Sequence, residues 1–251
     1  MEKVLLFFSG GNDSTLSACK LALEGYDVYL ITFDNGCEEE IENIRNRAVA
    51  LEKRFPGRVH NLGVYSSAAD FMMMRYQSSN IPFSKILEDY GDLNSNQLNC
   101  LNCRSGMYIV GAAVARRIGI NYIAEGARKT QMFALEQKEL LDRFASILEK
   151  YNIKLLLPVY DFESDGKVED ELWYYPNILM PERLPGTNHY ECKCFLGLPM
   201  DKPLSEEEIN AYGNFFDDKL SSVISKHIEE FPNMVIDEQL KEPIYTRIRF
   251  K

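Results

Sequence analysis

The stretch Val4-Leu5-Leu6-Phe7-Phe8-Ser9-Gly10-Gly11-Asn12-Asp13-Ser14-Thr15 decides how this chain folds. Five apolar residues in a row fit a strand buried on both faces of a parallel sheet. Ser9-Gly10-Gly11 breaks the run. Asp13–Glu24 then places Leu16, Cys19, Leu21 and Leu23 on a helical pattern, with Gly25 at its end. Two glycines between strand and helix let the backbone turn tightly and bring N–H groups close to an anion. The start of the helix adds its dipole and its unpaired N–H groups. Ser9, Ser14 and Thr15 carry hydroxyls for phosphate oxygens. Asp13 suits a helix cap or a magnesium ion held on those phosphates. The loop has neither the Walker spacing Gly-x-x-x-x-Gly-Lys-Ser/Thr nor the dinucleotide spacing Gly-x-Gly-x-x-Gly. Taken alone, it also reads as a glycine-rich turn with an Asp cap.

Beyond the loop, Val28–Phe33 is a second apolar strand and Val59–Val64 a third. Glu38–Phe55 reads as a helix with acidic residues in its first turn, favourable at the positive end of the dipole. Ser66–Gln77, Phe83–Tyr90, Met107–Ile118, Met132–Tyr151 and Ser205–Phe231 have helical spacing, and the run Phe71-Met72-Met73-Met74 suits core or lid packing. Tyr122–Glu125 and Lys154–Leu157 are further strands, and Pro243–Phe250 reads as an edge strand. The alternation predicts an α/β fold with a doubly wound parallel sheet and right-handed crossovers. Residues 160–200 are rich in Pro, Gly, Tyr and acidic residues and predict an irregular segment. The expected division is a nucleotide-binding domain over 1–160 and an irregular, helix-containing C-terminal extension over 161–251.

The 251 residues are 45% hydrophobic and 12% aromatic, which excludes global disorder. The formal net charge of -10 argues against a broad basic face for a large RNA, so any RNA contact must be local. No run of apolar residues is long enough to span a membrane, and the N-terminal run is too short for a signal peptide, so a cytoplasmic protein is expected. Six cysteines in such a chain suggest metal or catalysis before disulfides.

Cys100-Leu101-Asn102-Cys103-Arg104 is a Cys-x-x-Cys at the start of a predicted helix, and Cys192-Lys193-Cys194 lies far downstream. Four thiolates in two pairs suit tetrahedral zinc, and three with a free corner suit an iron–sulfur cluster with an open iron. A single pair alone would be two unrelated thiols. Cys19 belongs with the core, and Cys37 is a nucleophile, a persulfide carrier or an idle thiol. Of the histidines only His189, three residues before Cys192, is a site candidate. Thr32-Phe33-Asp34-Asn35-Gly36 and Ala124-Glu125-Gly126-Ala127-Arg128-Lys129 end two strands, where ligands bind in open α/β sheets. The plain readings are an Asn-Gly turn and a solvated basic pair at a helix start.

Ser9–Thr15 resembles the Ser-Gly-Gly-x-Asp-Ser loop of the PP-loop ATP pyrophosphatases, or adenine nucleotide alpha-hydrolases, with Asn12 at the variable position. The likeness covers roughly residues 3–160. It implies cleavage of ATP between the α and β phosphates: a substrate oxygen is adenylated, pyrophosphate leaves, and a nucleophile displaces AMP. It further implies that Phe33 and Asp34 meet the adenosine. Gly126, Arg128 and Lys129 look like the Gly-Ala-Arg-Arg stretch of the sulfate-adenylating and adenylyl-sulfate-reducing members, which implies phosphate contacts. The Cys-x-x-Cys resembles that of the sulfur-inserting members. By that match Cys100, Cys103 and Cys192 hold a [4Fe-4S] cluster and Cys194 is a spare. The nitrile-forming deazaguanine synthases share the loop and a four-cysteine zinc site, but their cysteines cluster near the C-terminus.

The expected function is adenylation of a carbonyl or carboxylate followed by thiolation at an iron–sulfur centre. A nitrile-synthase-like ligase with structural zinc and a nucleotide-binding module without catalysis are the alternatives. Catalytic roles are expected for Asp13, Ser14, Lys129 and Cys37. ATP contacts are expected from Ser9, Gly10, Gly11, Asp13, Ser14, Thr15, Phe33, Asp34, Gly126 and Arg128. The metal set is Cys100, Cys103, Cys192 and Cys194, and the cofactors are ATP, Mg2+ and the cluster or Zn2+. The expected partners are a small-molecule or carrier-bound acceptor ahead of tRNA, and a sulfur donor protein or sulfide. No membrane is expected, and a homodimer stays open.

Overall fold

The computed structural model describes residues 1–36, 38–39, 44–78, 80–91, 93–175, 177–178, 193–194, 200, 202–230, 234–235 and 249–250. Cys37, His189 and Cys192 lie outside the described residues.

Five strands form one parallel sheet: β1 (Lys3–Phe7), β2 (Asp27–Asp34), β4 (Val59–Ser66), β5 (Tyr122–Ala124) and β6 (Lys154–Leu156), in the order β4-β2-β1-β5-β6. β1 pairs in parallel with β2 on one side and β5 on the other. Order therefore reverses at β1, the place where such sheets open a crevice beyond their carboxyl ends. The continuous apolar run of β1 follows from burial on both faces. Leu5 and Phe7 join one core, and Val4, Leu6 and Phe8 join the other.

The second core is closed by α1 (Asn12–Leu23) and α2 (Ile44–Arg54). The first is closed by α3 (Ala68–Ser78), α4 (Phe83–Tyr90), α5 (Ser95–Ile118) and α6 (Lys138–Glu149). Helices on both faces confirm the doubly wound arrangement. In the predicted Met run, Phe71 and Met74 are buried and Met72 is exposed. α7 (Asp165–Leu172) packs on α1 through Val168 and Leu172 against Leu16. α8 (Glu206–Phe215) and α9 (Ser221–Glu230) bury Tyr212, Phe215, Ile224 and Ile228 in the same core as α5 and α6. A fully buried side chain of this kind stabilises a fold by roughly 1.5–3 kcal/mol, so these helices are part of the sheet's own packing. Among the described residues no helix is long and apolar enough to cross a membrane.

Several elements differ from the sequence expectation. The helix expected over Glu38–Phe55 starts at Ile44, because Glu38–Glu39 forms a strand, β3, antiparallel to β7 (Lys193–Cys194). The helix expected from Met107 begins twelve residues earlier, so Cys100 and Cys103 lie within α5 rather than at its start. The polar stretch Ser95–Gln97 hid that beginning. Asn94 caps it, accepting from Asn96 N at 2.8 Å and Gln97 N at 3.2 Å. The helix expected over Met132–Tyr151 is a 3-10 turn at Ala134–Glu136 followed by α6, because Gln137 is extended at φ -69 and ψ 140. α7 lies inside the segment expected to be irregular, and a π turn at Phe216–Leu220 joins α8 to α9. Arg249–Phe250 pairs with Met234–Val235, and the rest of the expected edge strand is outside the described residues.

Asn94→Ala leaves the first turn of the cysteine helix without its acceptor. It lowers unfolding stability by about 1 kcal/mol. An unchanged urea midpoint would show that the cap contributes nothing.

Candidate active site

The carboxyl ends of β1, β2 and β5 open into a pocket of about 790 Å3. Ser9, Gly11, Asp13 and Ser14 form one wall. Gly10 turns the chain at φ +76, a left-handed conformation that a side chain would strain. Gly11 starts α1 without a side-chain cap, so the first-turn N–H groups have no intrahelical partner. Ser9 Oγ and Ser14 Oγ lie 3.3 Å apart. Thr15 is fully buried, and its hydroxyl donates to Gly11 O at 2.7 Å, so it shapes the loop from behind instead of facing the pocket. Gly126 follows β5, and a Cβ there would lie 2.7 Å from Ser14 N. The missing side chain lets the end of β5 come up against the start of α1.

Sequence reasoning missed Arg47, which holds the loop. It is buried on α2 and donates to Gly10 O at 2.7 Å and to Asn12 Oδ1 at 2.7 Å. A signal was present: Ile44, Arg47, Ala48 and Leu51 are the buried positions of α2, so the arginine occupies the apolar stripe.

Arg128 is one of the two guanidiniums that line the pocket among the described residues. Its side chain is 4% exposed, and its Nε pairs with Asp13 Oδ1 at 2.7 Å. A second ion pair joins it to Asp165 at the start of α7, a side chain 82% exposed. Asp13 Oδ2 also accepts from Gln131 Nε2 at 2.8 Å. Asp13 thus anchors an arginine and caps no helix. Burial raises its carboxyl, and Arg128 pulls it back down. Lys129 is absent from the lining, and its ammonium meets exposed Asp161 at 3.2 Å. Of the expected basic pair only Arg128 faces the pocket.

The opposite wall carries thiols. Phe33, Asn35, Cys100, Cys103 and Cys194 line it. Asp34 is turned to its own loop, accepting from Gly36 N at 2.9 Å. Asn35 Nδ2 donates to Cys103 Sγ at 3.3 Å and to Cys194 Sγ at 3.7 Å. Burial, then Cys194 and Cys103, push the Cys100 thiol up to about 12. A cation among these sulfurs reverses that preference. The donors have the soft chemistry for zinc or iron. Among the described residues, however, no three His, Cys, Asp or Glu side chains stand in a metal-holding cluster.

The pocket also holds Arg104, Glu125 and Glu136, to which the sequence assigned no role. Arg104 pairs with buried Glu125. Glu136 Oε2 accepts from Arg128 N at 3.3 Å. Burial pushes Glu136 up to about 8, with Arg104 opposing and Glu125 adding to the rise.

Fold and phosphate loop together place the chain in the PP-loop ATP pyrophosphatase superfamily. A family described only as of unknown function, DUF7411, matches residues 1–83. The chain is similar to the argininosuccinate synthase of Hyperthermus butylicus, 25% identical over 222 residues, covering 84% of this chain and 50% of that protein. It is also similar to 7-cyano-7-deazaguanine synthase 2 of Colwellia psychrerythraea, 29% identical over 82 residues, covering 33% of this chain and 37% of that one. The chain thus spans half or less of these relatives. Among solved structures, a 4-thiouridine synthetase–RNA complex with bound ATP shares the fold, with a TM-score of 0.54 and 17% identity. That match covers 90% of this chain and 53% of the other.

Arg47→Met removes the charge-assisted bonds that fix the phosphate loop. Each is worth about 1.5–3 kcal/mol, so stability falls by at least about 1.5 kcal/mol. Denaturant unfolding checks this, and wild-type stability in the variant would show the bonds to be dispensable.

Proposed function

We propose that the chain is an ATP-dependent adenylating enzyme that activates an acceptor carbonyl or carboxylate, releases pyrophosphate, and then transfers sulfur to the acceptor. The observation that carries this reading is the sharing of one pocket by the phosphate loop, Arg128 and three thiols. The hydroxyls of Ser9 and Ser14 and the N–H groups beside Gly126 bind the polyphosphate. Arg128 stabilises charge that develops on the α-phosphate. The lining includes the carboxyls of Asp13, Glu125, Glu136, Glu163 and Asp165. Such a lining favours ATP arriving with Mg2+ over bare ATP, and Asp13 faces the ion once phosphate takes its arginine. Phe33 supplies an apolar face for the adenine.

Cys100 and Cys103 would hold a soft metal centre, with the third thiol from Cys192 or Cys194. Such a centre, when bound, supplies the position from which sulfide reaches the acceptor. Cys37 and Lys129 keep their proposed catalytic roles only if the reaction needs a group from beyond the described lining. The acceptor is a small or carrier-bound molecule or a tRNA, the last supported by the RNA complex of the 4-thiouridine synthetase.

With ATP, Mg2+ and a sulfide source, the protein forms AMP and pyrophosphate when its acceptor is present. Arg128→Ala raises the dissociation constant for ATP roughly ten- to hundred-fold, the loss of one charge-assisted contact. ADP and phosphate as the stoichiometric products would overturn the reading.

Protein purified without oxygen contains iron, and Cys100→Ser and Cys103→Ser each empty the site. One equivalent of zinc without iron would favour the nitrile-synthase-like or structural-zinc alternative.

A further inference from the structure

Two buried carboxyls, Glu125 and Glu136, stand in the pocket wall with one guanidinium, that of Arg104. Arg104 is ion-paired to Glu125. The other guanidinium of the wall, Arg128, is held by Asp13 and Asp165 and gives Glu136 only its main-chain N–H, at 3.3 Å. Glu136 is 7% exposed and still lines the cavity. With both guanidiniums of the wall already ion-paired, a second ionised carboxylate in this buried place is costly, so burial favours the protonated form of Glu136.

The groups that bear on Glu136 come from every element around it. α5 contributes Arg104, Cys100 and Tyr108. Glu125 stands just after β5, and Asp13 lies on α1. Tyr160 donates its hydroxyl to the Glu136 main-chain carbonyl at 3.3 Å. From α6, Lys138 and Glu139 are exposed. Arg104 alone among these favours the charged form strongly, and burial outweighs it, leaving the carboxyl at about 8. A base that titrates near the working pH can both take and return a proton.

We infer that Glu136 is the general base of the adenylation step, taking the N–H proton of an amide- or lactam-type acceptor as its carbonyl oxygen attacks the α-phosphate. This rests on the adenylation reading above. The N–H bond breaks, and its proton passes to the Glu136 carboxylate. The freed electron pair delocalises onto the carbonyl oxygen, which forms the new bond to the α-phosphorus. The bond from that phosphorus to the β-bridging oxygen breaks, and pyrophosphate leaves with the pair. Glu136 then returns the proton to solvent. A carboxylate acceptor has no such proton to give and is repelled by Glu125 and Glu136, so the pair selects against it.

The test uses Glu136→Gln, which still accepts from Arg128 N and so keeps the fold while losing the titration. Infrared difference spectra between pH 6 and pH 9 are expected to show loss of a protonated-carboxyl band in the wild type, with a midpoint near the raised value of about 8, and no such loss in the variant. No titrating band in the wild type overturns the inference. AMP formation from ATP and Mg2+ is then measured with unfractionated tRNA, whose bases carry lactam N–H groups, and with free amino acids, which offer carboxylates. The expected result is turnover with the first only, rising with pH to a plateau above about 8. The variant is expected to be about 100-fold slower with a flat profile and unchanged ATP affinity. AMP formation equal in variant and wild type, or turnover with amino acids alone, overturns the base role while leaving adenylation standing. Intact infrared titration with no AMP from either acceptor overturns the lactam acceptor, whereas ADP and phosphate as the products overturn the adenylation reading, and the base role falls with it.

Discussion

Everything in the pocket depends on how closely the end of β5 approaches the start of α1. At Gly126 even a methyl group would collide with the main chain of Asp13 and Ser14. That contact sets Arg128, two residues on, beside Asp13. A side chain at this position would push strand from helix and part the arginine from its aspartate. The same approach explains why the loop needs support from its other side. Arg47 ties Gly10 and Asn12 together across the opposite sheet face, so the loop is fixed between a bare backbone contact and a buried cation.

The acidic character of the chain reappears inside the site. Arg104 and Arg128 are each committed to carboxylates, and Glu136 is left without a guanidinium of its own. The arrangement separates two kinds of carboxyl within one cavity. Asp13 and Asp165 work as counter-ions, whereas Glu136, deeper in the wall, holds a proton. The environment decides which carboxyl does which work.

Much of this was legible in the sequence, for identifiable reasons. The run Val4–Phe8 and the glycines after it gave strand, turn and helix start correctly, because local chemistry alone determines them. Arg128 stood out because a basic residue at a strand end has few structural excuses. The helix before Met107 stayed hidden because its cap and first turn, Asn94–Gln97, are as polar as any loop, and burial of Gln97 comes only from tertiary packing. β3 and β7 could not be read, since two residues pairing with two others over 150 positions away leave no periodic trace. Arg47 had a readable signal in its place on an apolar stripe. Glu136 had none: it looked like one more acidic residue near a helix start, and its character comes from neighbours on three separate elements.

The two ion pairs of Arg128 have a consequence for selectivity among anions. Because its guanidinium is already ion-paired, a ligand does not simply fill an empty positive hole. It must outbid a carboxylate on an exposed side chain, Asp165, that can swing into water when released. The gain on binding is then the difference between two ion pairs. Halides and other weakly hydrogen-bonding monoanions gain little from such an exchange, whereas an oxyanion that offers several acceptor oxygens at once gains more. The resident aspartate therefore sets a threshold that an anion with several acceptor oxygens meets more readily than a simple monoanion.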